Sequence, residues 1–342
     1  MKLALTAFTR RGVELALRLR DLLGEGEVWT LPQFARKGVK IYASLSDWTA
    51  ERFAQNYGLV YVGAVGIAVR AIAPCVRDKG TDPPVLAVDE GGRWVVPLLS
   101  GHMGGANALA RRAAALLGAE AVLTTATDVR GLFAVDQWAA EHGMTIPDPA
   151  AAKRVSAALL EGRTVGFASE LPHGPLPAQV EEGESVPGFA VSCRSGDCFP
   201  PGMLVLHPKL LSVGVGCKRG TSAERLEAAV RGALLDAHLA PESVEALASI
   251  DRKSDEPGLL ALAERWGVPC RFYTADELRA VPGAFTASAF VQSVTGVDNV
   301  CERSAVRSAE GGTLLVRRRA GDGVTVAVAR RDCFYSFDEE EG

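Results

Sequence analysis

Three glycine-rich turns carry the side chains best suited to chemistry, and in each an apolar run gives way to a helical pattern. The first is Ser100-Gly101-His102-Met103-Gly104-Gly105-Ala106-Asn107. Glycines let a backbone come close to a ligand, and the N–H groups that open the next helix attract carboxylate or phosphate. His102 is a candidate general acid or base because imidazole titrates near neutrality; the competing reading is a tight turn with a surface imidazole. The second turn, Thr124-Thr125-Ala126-Thr127-Asp128, offers three hydroxyls and a carboxylate. Thr125 and Thr127 would bind a polar ligand, and Asp128 would orient His102 if the two strands are neighbours. Thr127 and Asp128 would serve equally as helix caps. The third, residues 213–222, reads VGVGCKRGTS and places Gly216, Lys218, Arg219, Thr221 and Ser222 at a helix start, a receptor for an organic carboxylate. Its glycines are spaced one residue too far apart for a dinucleotide fingerprint, and Lys218 precedes the last glycine rather than following it as in a phosphate-binding loop. Cys217 is either a nucleophile or a small packed residue.

Two further segments lack the glycine signature. Residues 249–258 hold Asp251, Asp255 and Glu256 as acid/base candidates, with Arg252 and Lys253 as carboxylate partners. The alternative there is a solvated turn with Asp255 capping the next helix. Residues 293–302 bring Asn299 and Glu302 to the first turn of another helix, where Glu302 is a favourable charge at that terminus.

The elements that must hold these turns alternate. In the first third, strands are expected over residues 3–8, 28–31, 59–62, 85–88, 94–99 and 121–125. Helices are expected over residues 12–23, 47–56, 67–73, 105–117 and 147–160. Between residues 172 and 208 seven prolines interrupt any periodicity, which predicts a loop-rich middle region or linker. Alternation resumes with a strand over 211–214 and a helix over 221–235, and ends in a strand pair, 313–317 and 323–329, around a turn. The fold expected is α/β: two three-layer α/β domains with mostly parallel sheets, joined by the Pro/Gly-rich middle. The boundaries predicted are 1–134, 135–208 and 209–337, with an acidic tail over 338–342 that frays in water.

Composition narrows the function class. With 342 residues, 48% hydrophobic and 23% charged, the chain is that of an ordinary globular protein of two or three domains. A net charge of −4 supplies no global field for nucleic acid or acidic lipid, and no apolar run is long enough to span a bilayer, so a cytoplasmic protein without nucleic-acid or membrane partners is expected. Seven cysteines without a CxxC pair and five scattered histidines suggest neither a disulfide framework nor a metal held by the protein.

In order along the chain, GHMGGAN, TTATD, VGVGCKRGTS, SIDRKSDEPGL and GVDNVCE resemble the cobalt-precorrin 5A hydrolase family of anaerobic cobalamin biosynthesis, often called CbiG, over about residues 1–330. Met103 and Lys218 depart from the leucine and arginine expected there, and both swaps keep the local chemistry. The resemblance implies that water opens the δ-lactone of cobalt-precorrin 5A and that acetaldehyde leaves, giving cobalt-precorrin 5B. Cobalt arrives with the substrate, so no separate cofactor is implied. It also implies a boundary near residue 211, because the C-terminal region occurs alone in the aerobic pathway. On this reading His102, Asp128 and Glu256 are the catalytic candidates, with His102 or Glu256 activating water. Ser100, Gly101, Gly104, Gly105, Asn107, Thr125, Thr127, Gly216, Lys218, Arg219, Thr221, Ser222, Asp251 and Lys253 are the substrate-binding candidates. Transient contact with neighbouring pathway enzymes would follow. Two rivals stay open: a carrier of an unstable corrinoid that catalyses nothing, and a nucleotide-dependent oxidoreductase built on the turn at 214–220.

Overall fold

In the computed structural model, residues 2–78, 81–101 and 104–337 are described. The contacts divide the chain after Glu141 into two units.

The first unit begins with β1 (Leu3–Ala7) and α1 (Arg10–Leu23), a helix that the Thr9 hydroxyl starts by accepting from the Gly12 N–H and that Gly24 ends in a left-handed conformation. There follow β2 (Glu27–Thr30), β3 (Lys40–Ile41), α2 (Leu45–Ala54), β4 (Gly58–Val62), α3 (Val65–Ile72), β5 (Val85–Val88), β6 (Trp94–Leu99), α4 (Ala106–Leu117), β7 (Glu120–Ala121), α5 (Ala126–Arg130) and α6 (Val135–Glu141). The strands make one sheet in the order β3-β2-β1-β4-β5-β6-β7. Leu3, Leu5 and Ala7 pack beneath α1 and α4, whereas Ala4 joins Trp48, Phe53 and Ala68 from α2 and α3. Period-two alternation thus buries both faces, and the unit is three-layered.

One inversion matters for function. β1, β2, β3, β4 and β5 are parallel, but β6 pairs antiparallel with β5, and β7 follows β6 in parallel. The turn after β6 therefore lies at the edge where β5 begins. The Ser100 hydroxyl accordingly donates to the carbonyl of Asp82, ahead of β5. No local pattern in β6 reports its direction.

The second unit contains α7 (Pro149–Leu160), β8 (Val165–Ser169), β9 (Val180–Glu182), β10 (Gly188–Val191), β11 (Leu204–Leu206), β12 (Leu211–Cys217), α8 (Ala223–Asp236), β13 (Val244–Ile250), α9 (Pro257–Trp266), β14 (Cys270–Tyr273), α10 (Ala275–Ala280), α11 (Ala289–Thr295), α12 (Cys301–Ser308), β15 (Thr313–Gly321) and β16 (Val324–Arg330). The proline-rich middle is not a loop region. It forms an all-parallel sheet, β11-β10-β8-β9, with Phe167, Phe189 and Leu204 fully buried. Strands of three to five residues between prolines are too short to show a period, which is why the pattern reads as loop. Backbone pairing of Arg194 with Leu239 and of His173 with Tyr335 joins this sheet to the C-terminal part of the chain.

The last sheet runs β14-β13-β12-β16-β15, parallel through the first three and antiparallel through the closing hairpin. Even positions of β12 meet α12: the Ser212 and Ser308 hydroxyls bond at 2.9 Å, and a Cβ on Gly214 would stand 1.8 Å from the Cys301 carbonyl. Only glycine lets the helix seat there. Odd positions of β12 face the other way.

Candidate functional site

In the first unit the first two motifs meet. β6 and β7 are neighbours, and the buried Asn107 side chain donates to Asp128 at 2.8 Å and to the Thr125 hydroxyl at 3.3 Å. The Asp128 carboxylate, 5% exposed, also pairs with Arg111 and accepts the Thr125 hydroxyl. Arg111 was not legible as a site residue, because it is one of two adjacent arginines on an amphipathic helix. Packing, too, holds the turn closed: a Cβ on Gly104 would lie 2.3 Å from that of Ser100, and a Cβ on Gly101 would lie 2.8 Å from Asn107 Oδ1. Two of the helix-start amides are already used, since Ala106 and Asn107 donate to the carbonyls of Ser100 and Gly101. Gly105 caps α4 in a left-handed conformation, and Thr127 is buried in α5. His102 and Met103 lie outside the described residues.

In the second unit the third and fourth motifs meet at the carboxyl ends of the parallel strands β12 and β13. Glu256, 1% exposed, ties them: it accepts the Gly220 N–H at 2.7 Å and the Lys253 ammonium at 3.0 Å. Burial pushes its carboxyl up, but Lys253, the Gly220 N–H and Arg219 together outweigh burial and hold it below the usual carboxylate range. With one oxygen on each partner and its basicity reduced, Glu256 is built to anchor the turns.

Around that anchor the predicted binders divide. Lys218 is exposed, its stem lying over Gly323, and it reaches solvent at the strand end. Arg219, also exposed, spans Asp255 with one nitrogen at 3.0 and 3.2 Å and reaches the Arg252 carbonyl with the other. The Thr221 hydroxyl donates within the turn to the Lys218 carbonyl, and Ser222 caps α8 by accepting the Arg225 N–H. Asp251 closes its own turn on the Arg252 N–H. Gly216 leaves room for Thr325, whose hydroxyl donates to the Gly216 carbonyl. Burial raises the pKa of Cys217, which fits a packed thiol better than a nucleophile.

The fifth motif is structural in this geometry. The fully buried Glu302 accepts the Thr286 N–H and hydroxyl and the Arg318 N–H, while Asn299 bridges the Glu302 N–H and the Thr286 carbonyl. Sequence reasoning missed α11. Its Val291 packs on the cluster around Ile250 and Val297, the Arg252 guanidinium holds the Val294 carbonyl at 2.5 Å, and Phe290 and Val294 stand 77% and 52% exposed. These two are four residues apart and so share one helix face.

Three family models match in series: Cobalamin synthesis G N-terminal over residues 47–128, Cobalamin biosynthesis central region over 133–208, and Cobalamin synthesis G C-terminus over 211–329. A cobalt-precorrin-5A hydrolase of Priestia megaterium is 31% identical over 95% of this chain and 94% of its own length. The chain belongs to the cobalt-precorrin-5A hydrolase family. A second hydrolase of that name, from Salmonella typhimurium, is 34% identical across 95% of this chain and 97% of its own. Protein CobE of a Sinorhizobium species is 36% identical over 121 residues, 35% of this chain and 79% of that protein. As a member of this family, the chain is a hydrolase of cobalamin biosynthesis. Among the described residues no helix is long and apolar enough to cross a membrane.

Proposed function

We propose that this family member hydrolyses cobalt-precorrin 5A to cobalt-precorrin 5B and acetaldehyde. The observation that supports this most is the single shelf made by two family motifs at the carboxyl ends of β12 and β13, where ligands of open α/β sheets bind. Four cations (Lys218, Arg219, Arg252 and Lys253) outnumber Asp251, Asp255 and Glu256 there, so the shelf is positive on a chain whose net charge is −4. A macrocycle carrying acetate and propionate arms meets Lys218 and Arg219 through its carboxylates, with Arg219 exchanging Asp255 for an arm. Phe290 and Val294 supply the apolar wall for the ring.

In the reaction, water adds to the lactone carbonyl, its proton goes to a base, and the tetrahedral intermediate collapses by breaking the ring C–O bond. The freed hydroxyl then loses its proton and becomes the aldehyde carbonyl. The C–C bond to the macrocycle breaks, and its electron pair passes into the ring's conjugated system before reprotonation. Glu256 is held acidic and doubly engaged, so of the two candidates the base is assigned to His102, on the chemistry of an imidazole alone. Incubation with cobalt-precorrin 5A, with the aldehyde trapped and the product weighed by mass spectrometry, tests the reading. Tight binding with no two-carbon product would replace it with the carrier.

A further inference from the structure

Outside both clusters, three side chains of metal-ligating type converge where the middle sheet meets the last one. Asp197 and Cys198 lie on a single 3-10 turn (Gly196–Cys198) between β10 and β11, and His238 follows the end of α8. One donor atom from each lies within 4.8 Å of the others. Asp197 Oδ2 is 3.9 Å from His238 Nδ1, and Asp197 Oδ1 is 3.9 Å from Cys198 Sγ. The backbone brings them there. Ser195 N–H donates to the His238 carbonyl at 2.8 Å, Ala240 N–H donates to the Cys193 carbonyl at 2.8 Å, and Arg194 pairs with Leu239 between these bonds.

We infer that Asp197, Cys198 and His238 form a binding site for a borderline divalent transition-metal ion of the zinc class, separate from the cobalt of the substrate. A tetrahedral ion bound at the usual Zn–N, Zn–O and Zn–S lengths holds neighbouring donors about 3.3–3.6 Å apart. With donors at most 4.8 Å apart, the trio needs to close by no more than about 1.5 Å, within reach of side-chain torsions at positions that solvent loosens. Asp197 and His238 are 70% and 61% exposed, so an ion enters without opening the fold. One thiolate, one imidazole and one carboxylate select zinc, cobalt or nickel over calcium and magnesium, which prefer all-oxygen shells. Three protein ligands leave a fourth position for water. Bound there, the ion would staple the 196–198 turn to the end of α8 and stabilise the folded unit by mass action.

The test uses the full chain, reduced and stripped with a chelator. Cobalt(II) added without oxygen is expected to saturate at one equivalent, with a thiolate-to-metal charge-transfer band in the near ultraviolet that zinc(II) then displaces. Cys198→Ser is expected to abolish the band. His238→Gln is expected to weaken binding by more than the roughly tenfold that loss of an outer-shell partner costs. Both variants should melt like the parent without metal and lose the rise in Tm that zinc(II) gives the parent. Absence of saturable binding, a band that survives in Cys198→Ser, or unchanged affinity in His238→Gln overturns the site.

Discussion

Glu256 shows how one buried carboxylate can serve two motifs. Its folded-state pKa is depressed, so its contribution to stability is present above the unfolded value near 4.5 and is lost as pH falls through the folded one. Glu256→Gln is expected to cost about 3 kcal/mol at pH 7, the usual result of breaking a buried pair, and progressively less below pH 4.5. Urea midpoints across pH 3–7 check this, and parallel curves for parent and variant would refute it. Under the proposed mechanism His102 supplies the base. His102→Gln should lower acetaldehyde release by roughly 10²–10⁴-fold, the range for a lost general base, while leaving the melting temperature near that of the parent. Activity within a few-fold of the parent removes it from the mechanism.

Each helix has its own task. α12 is seated by the bare backbone of Gly214, where a side chain would run into the Cys301 carbonyl. Gly214→Val is therefore expected to destabilise by more than about 2 kcal/mol, since a backbone carbonyl cannot rotate aside as a side chain would. Denaturant titration reads this directly. By contrast, Phe290 on α11 stands 77% exposed. Phe290→Asp should leave stability unchanged and raise KM roughly tenfold, the value of covering one aromatic ring. A lowered melting temperature with unaltered KM would show that the ring packs rather than binds.

The chain as a whole has its compact division after Glu141, whereas the sequence pattern predicts boundaries after residues 134 and 208. The middle sheet is joined to the C-terminal one through Arg194 with Leu239 and His173 with Tyr335, so the contacts make one unit of the two. Residues 209–337 contain the stretch that the Cobalamin synthesis G C-terminus model matches, 211–329. We expect this fragment to melt cooperatively on its own, and several degrees below a fragment of residues 142–337, which keeps those pairings. Circular dichroism melts decide it. A fragment 209–337 without a transition would show that the middle sheet is part of its core.

Much of the site could be read because glycine, charge and hydroxyl patterns are local. The turns at 100–107, 124–128 and 213–222, the charged run at 249–258 and the α/β alternation around them all follow from short-range preferences and periods of two and 3.6. Other features depend on partners far away in the chain. The reversal of β6, the burial that makes Glu256 an anchor, the grip of Arg111 on Asp128, and the meeting of Asp197 and Cys198 with His238 are set by which strands pair and which helices lie over them. Side-chain type can be read one residue at a time, but direction, burial and proximity arise only when distant segments pack.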